Sequence, residues 1–273
     1  MPVCILLICV SCGICGGLFV FLKTRSRRRA LKARPFPDAW AAELKNAWPL
    51  YSRLPEKVLS PLHGLIHVFL DEKSFEGCGG LELTDAMKRL VAAQACLLLA
   101  GRNPDRVYPR LKSVLLYPHT YVAGGKGIFG GRHEDRSVRL GESWQTGTVI
   151  LSWHSVKGGA LNIQDGHNVT LHEFTHQLDQ ADGRADGAPV LDSLPAARTW
   201  AACFQKEYRQ FLKQLEKGRR TVIDEYGATN GAEFFSTATE AFIEKPRQLQ
   251  RERPELYEEL TSYFQLDPLV WTD

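Results

Sequence analysis

The sequence predicts an α+β fold, mostly helical with a small mixed sheet and preceded by an N-terminal transmembrane helix. Three observations predict it. The β-branched and aromatic stretches are confined to the middle of the chain, between residues 113 and 156, with helix-like text on either side. With 273 residues, 44% of them hydrophobic, the chain is long enough to bury one sizeable core. And the twenty residues from Val3 to Leu22 carry no charge, enough to span a bilayer as a helix.

The order of charge around that apolar run sets the expected topology. A cleavable signal would carry its positive charge before a shorter apolar core; here the charge follows, with seven Lys/Arg and no acid in residues 23–34. The positive-inside rule then predicts a single-pass inner-membrane protein, its N-terminus outside and residues 35–273 in the cytoplasm as the folded domain. The alternative is a cytoplasmic protein. Residues 1–34 are read as anchor and basic linker, with the membrane contact through residues 3–22. Removing those seven from the total of 34 Lys/Arg leaves 27 against 31 Asp/Glu, so the body is slightly acidic and direct nucleic-acid binding is excluded. Four of the seven cysteines lie inside the apolar run. The other three, Cys78, Cys96 and Cys203, are too few and too scattered for a disulfide framework and suit a reducing compartment.

Pro35, Pro37 and Asp38 mark the start of the folded part, followed to about Leu70 by short helices with a break at Trp48-Pro49. Thr84 is placed to cap a buried helix that runs through Ala100, with Gly101 just beyond its end. Ser113 to Val122, Ser137 to Leu140 and Thr148 to Val156 read as strands. Helices are predicted at 168–181, 195–217, 231–244 and 255–265.

The chemistry centres on His172-Glu173-Phe174-Thr175-His176. On a helix, residues i and i+4 share a face, so both imidazoles can reach one metal ion. Glu173, beside the first histidine, can then act on water without ligating the metal. Asn168 is placed to cap this helix, and Val169, Leu171, Phe174 and Leu178 supply its packing face. A catalytic zinc site needs a third protein ligand and an open position. No third histidine follows His176, which leaves a carboxylate on a later helix: Glu233 or Glu240, seven residues apart and on one face. Glu233 also lies three residues after Asn230, as in a capping box, and Glu240 could instead orient a histidine. Asp179 and Asp182 read as supporting or turn residues. Tyr226 is placed to donate to an oxyanion, or to serve simply as a packed tyrosine.

The stretches LTDAMKRLVAAQACLLL, NVTLHEFTHQLDQADG and IDEYGATNGAEFFSTATEAF, with the closing YFQLDP, resemble the Mlc titration factor A family of zinc-dependent peptidases over roughly residues 35–270. The resemblance implies a zincin-like fold related to the catalytic domain of anthrax lethal factor, and one Zn2+ per chain held by His172, His176 and Glu233. It also implies Glu173 as the general base toward a zinc-bound water, with Tyr226 near the site. The substrate it implies is a peptide or protein, with aminopeptidase-like cleavage of short peptides. The family includes a member that sequesters the Mlc repressor, so binding a transcriptional repressor is the alternative function. Its members are generally soluble, from which the apolar N-terminus departs. The strand ending near Trp153-His154 is a candidate edge for an extended peptide. Glu76-Gly77-Cys78 and Ala92-Ala93-Gln94 echo peptide deformylase motifs but in reversed order, and Thr175 stands where that family carries Asp.

Overall fold

The computed structural model describes residues 21–119, 122–123, 126–127 and 147–271. Residues 21–32 are helical (α1). Asp38–Ala47 (α2) and a 3-10 turn over Pro49–Arg53 lead to Glu56–Glu72 (α3), strand Ser74–Gly77 (β1) and helix Asp85–Ala100 (α4). Strand Ser113–Tyr117 (β2), the two-residue strands Val122–Ala123 (β3) and Lys126–Gly127 (β4), and strand Thr148–Ser152 (β5) complete the β structure among the described residues. Helices then follow at Trp153–Leu161 (α5), Val169–Asp179 (α6), Leu194–Glu216 (α7), Gly231–Glu244 (α8), Pro246–Glu252 (α9) and Pro254–Phe264 (α10).

The transmembrane helix expected over Val3 to Leu22 is corrected here. Residues 3–20 of it lie outside the described residues. Among the described residues no helix is long and apolar enough to cross a membrane. Phe21 and Leu22, the end of the expected span, lie in α1, four of whose six charged side chains are engaged by the protein itself. Arg25 pairs with Asp105, Arg27 with Asp71 and Arg28 with Glu72. Lys32 donates to the Asn103 side chain and the Pro104 carbonyl. The basic run read as a signal of membrane sidedness therefore has acidic partners on the body. The single-pass inner-membrane location and the membrane contact through residues 3–22 fall with the span.

The sheet differs from the mixed one expected. Among the described residues it is three-stranded and parallel, in the order β1-β2-β5, with Leu115 opposite Ile150 and Glu76 opposite Leu115. The β3–β4 pair is antiparallel and separate. In β2 and β5 alternate residues are buried (Val114 and Leu116, Val149 and Leu151), as a sheet with one core-facing side requires. The strand expected to run through Val156 ends at Ser152, whose hydroxyl accepts the backbone N–H of Ser155 and so starts α5. The strand expected at Ser137 to Leu140 lies outside the described residues.

Helix α6 is enclosed on nearly all sides, with every residue from Thr170 to Asp179 buried. It packs against α4, α5, α8 and β5. Phe174 stacks edge-on against Tyr108, 4.9 Å between ring centres, and against Phe69 at 5.6 Å. On the far side of α8 a second aromatic group forms from Trp200, Phe204, Phe234, Phe235, Tyr263 and Phe264. The two histidines thus sit on a helix whose position is set by packing on every flank.

Candidate metal centre

Asn168 starts α6 as the sequence indicates: its side-chain oxygen accepts the backbone N–H groups of Thr170 and Leu171. One turn in, His172 and His176 stand on the same face, with ring centres 4.9 Å apart. Helix α8 brings Glu233 to them. Asn230 caps α8 by accepting the Glu233 backbone N–H, but the Glu233 carboxylate turns away from the cap toward the histidines. Its Oε2 lies 2.9 Å from His172 Nε2 and 3.3 Å from His176 Nε2, and the two Nε2 atoms are 3.2 Å apart. The first half of the expected capping box is present, and the second half gives way to the cluster.

Three donor atoms therefore form a nearly equilateral triangle, all on buried side chains. A tetrahedral zinc with bonds of about 2.0–2.1 Å has ligand–ligand edges of about 3.3 Å, so the donor set fits such an ion. The electrostatics agree. Glu173, Glu233, Glu240 and Asp179 are all buried around only two imidazoles, a surplus of carboxyl groups that a divalent cation would offset. In the metal-free cluster burial would push His172 down, but Glu240 and Glu233 outweigh it and hold it up at about 10. Glu233 is held far below the usual carboxylate range, because its hydrogen bonds to His172 and His176 outweigh a burial effect that would raise it.

Glu240, the competing carboxylate, does not join the triangle. Its Oε2 lies 2.9 Å from His172 Nδ1, the opposite ring nitrogen, and its Oε1 accepts the Asn168 backbone N–H at 2.6 Å. Glu173 follows His172 directly and is fully buried. Tyr226 lies in a 3-10 turn over Glu225–Ala228 that Asp224 caps, and its ring centre is 6.0 Å from that of His172. Asp179 accepts the Gly187 N–H with Oδ1, and Gly187 has a positive φ of 81° that favours glycine. Burial raises Asp179 to about 6. Asp182 supports the next turn by accepting the Arg184 N–H.

The cluster opens into a cleft of about 430 Å³ whose lining includes His154, His167, Asn168, His172, Asp224 and Tyr226. In the sequence His154 figured only at the end of a strand and Gln94 only in a deformylase echo, while His167 was not singled out, nor was Glu244, which joins Gln94 and Asn168 beneath the cleft. One signal pointed to Glu244: it lies four residues after Glu240 on a helix that is otherwise largely apolar. The deformylase echoes do not converge, since Gln94 is bonded to Asn168 and the metal-type cluster contains no cysteine.

A model of the glucose-regulated metallo-peptidase family M90 matches residues 22–265. An uncharacterised protein of Synechocystis is 41% identical over 251 residues, covering 89% of this chain and 90% of its own length. Proteins named Mlc titration factor A from Shigella flexneri and Escherichia coli are 30% identical over 231 residues, covering 81% of this chain and 84% of theirs.

Proposed function

The chain belongs to the family of glucose-regulated metallo-peptidases, and from that membership we propose that it is a zinc-dependent peptidase working at His172, His176 and Glu233. The observation that carries the proposal is the triangle of Nε2, Nε2 and Oε2 atoms with edges of 2.9–3.3 Å, closed by two helices from separate parts of the chain. Zinc bound there would supply Lewis acidity, bringing the pKa of water toward neutrality and polarising a carbonyl.

The rest is work for the chain's own side chains. Glu173, buried next to the first ligand, takes the proton of the attacking water and passes it to the departing amine. Tyr226, in the wall of the cleft, donates its hydroxyl to the oxyanion that forms. Among the described residues strand β5 is an edge of the three-stranded sheet, and it leads directly into α5, which lines the cleft with His154 and Ser155. An extended peptide laid along that edge would reach the ligands. The cleft volume suits short peptides, and aminopeptidase-like cleavage is the specificity proposed.

Treating the protein with a chelator should abolish hydrolysis of a mixture of short peptides and aminoacyl anilides, and about one equivalent of zinc should restore it. Undiminished hydrolysis after metal removal, or no hydrolysis by zinc-loaded protein, contradicts the proposal. A second reading rests on the relatives named Mlc titration factor A: the chain also binds a transcriptional repressor of that type, with peptidase activity secondary. Co-purification of such a repressor with the Glu173→Gln protein tests it, and no association at micromolar concentrations would sink it.

A further inference from the structure

The group beneath the metal cluster is more elaborate than ligand binding alone requires. Asn168, almost fully buried, uses every polar atom of its side chain and its backbone N–H. Its Oδ1 caps α6, and its Nδ2 lies 3.0 Å from Gln94 Oε1, 3.1 Å from the Gly159 carbonyl and 3.2 Å from Glu244 Oε1. Its backbone N–H donates to Glu240 Oε1, and the other oxygen of that carboxylate meets His172 Nδ1. The packing is tight. A Cβ on Gly159 would stand 3.0 Å from both Cα and Cγ of Asn168, so a larger residue there would push Asn168 by a few tenths of an ångström.

Resting on the metal site proposed above, we propose that Asn168 and Glu240 are positioning residues. Asn168 aims the Glu240 carboxylate, and Glu240 holds the Nδ1–H of His172, so that Nε2 faces the other two donors. The reasoning is one of donors and acceptors. An imidazole whose Nδ1–H is bonded to a carboxylate is fixed in tautomer and in ring angle. A carboxylate on a long side chain would itself swing unless its second oxygen were held, and the backbone N–H that opens α6 holds it. The same residue that starts the helix thereby sets the angle of its first histidine. Glu240 can do this because a carboxylate offers an acceptor at each oxygen, and two donors converge on it.

The test is made on the full chain, with two readouts. One is zinc affinity by competition with a chelator, and the other is the 15N signals of the His172 ring in zinc-free protein. Glu240→Ala should weaken zinc binding 10–100-fold, the range seen when such supporting groups are removed, and should abolish the protected Nδ1–H signal. Glu240→Gln keeps the shape but offers one acceptor to two donors. It should weaken zinc several-fold and shift the same signal, and it decides the matter if the alanine variant does not fold. Gly159→Ala, which touches neither ligand nor carboxylate, should displace Asn168 and change the His172 signals in the same sense. Wild-type zinc affinity and unchanged His172 ring signals in the Glu240 variants would overturn the proposal. Failure of the wild-type protein to bind zinc would instead strike the metal site, and the ring signals of the zinc-free protein would still decide whether Glu240 positions His172.

Discussion

One side of α8 is aromatic and the other is acidic, and the two are held by different physics. Phe234, Phe235 and Phe242 pack into rings from α7 and α10, with Phe235 edge-on to Trp200 at 5.1 Å and Phe242 stacked on Phe264 at 5.7 Å. These contacts are short-ranged and tolerant in direction, and their value scales with the area they remove from water. Glu233, Glu240 and Glu244 face α6 instead, where their oxygens meet partners at hydrogen-bond distances that depend on direction. Burying them costs stability that the aromatic side must supply. Damage to the first side should therefore lower stability and leave chemistry intact, whereas damage to the second should alter metal binding and turnover at little cost in folding.

The largest effect expected belongs to the residue beside the acidic cluster. Glu173→Gln should keep its zinc and lose about 10²–10⁴-fold in turnover, as removal of a general base does. Steady-state kinetics with metal analysis on the same sample checks this, and a variant that turns over normally would remove Glu173 from the role. On the aromatic side, Trp200→Ala removes a buried ring and its hydrogen bond to the Gly187 carbonyl. Denaturant unfolding should register a loss of about 3–5 kcal/mol, while the folded fraction binds zinc like wild type. Weakened zinc affinity at full folding would blur the division between the two sides.

Glu244 sharpens the comparison through pH. Burial lifts its carboxyl from the ordinary 4.5 to about 8, against the pull of its hydrogen bond from Asn168. A group whose folded pKa is raised binds its proton more tightly in the native state. Its contribution is complete below pH 4.5 and is lost as pH rises toward 8, at about 1.4 kcal/mol per pH unit across that window. Glu244→Gln lacks this loss, so its stability relative to wild type should increase between pH 5 and pH 8, and a constant difference would show that Glu244 is ionised throughout. The smallest effects are expected at α1. Arg27→Ala and Arg28→Ala each break a surface ion pair and should cost about 0.2–1 kcal/mol at low salt and less at high salt.

Much of this was legible because local rules governed it. Helix α8 spans Gly231–Glu244, as its cap at Asn230 and its apolar periodicity indicate. The start of α6 was readable from Asn168 and its two histidines from their four-residue spacing. The end of β5 was not, because Trp153 and Val156 carry strand propensity while the local cap at Ser152 prevails. The α1 charges misled because their partners, Asp71, Glu72 and Asp105, are more than forty residues away in sequence. The same distance hid the Asn168 network: Gln94, Glu240 and Glu244 lie 72–76 residues from it and meet only once α4, α6 and α8 have packed. Between Glu233 and Glu240 spacing could not choose, since both lie on one face. The structure separates them by the nitrogen of His172 that each one meets, and the proposed ligand set takes Glu233.

Zinc titration of the metal-free protein tests the central claim most directly, run in parallel on wild type, Glu173→Gln, Glu233→Ala, Glu240→Ala, His172→Ala and His176→Ala. Wild type and Glu173→Gln should each take up about one equivalent tightly, by the ligand count of a mononuclear site. The two histidine variants should take up none at that affinity, and Glu233→Ala should bind much more weakly than Glu240→Ala. Full zinc binding by both His172→Ala and His176→Ala would contradict the account, and weaker binding by Glu240→Ala than by Glu233→Ala would assign the third ligand to the wrong carboxylate.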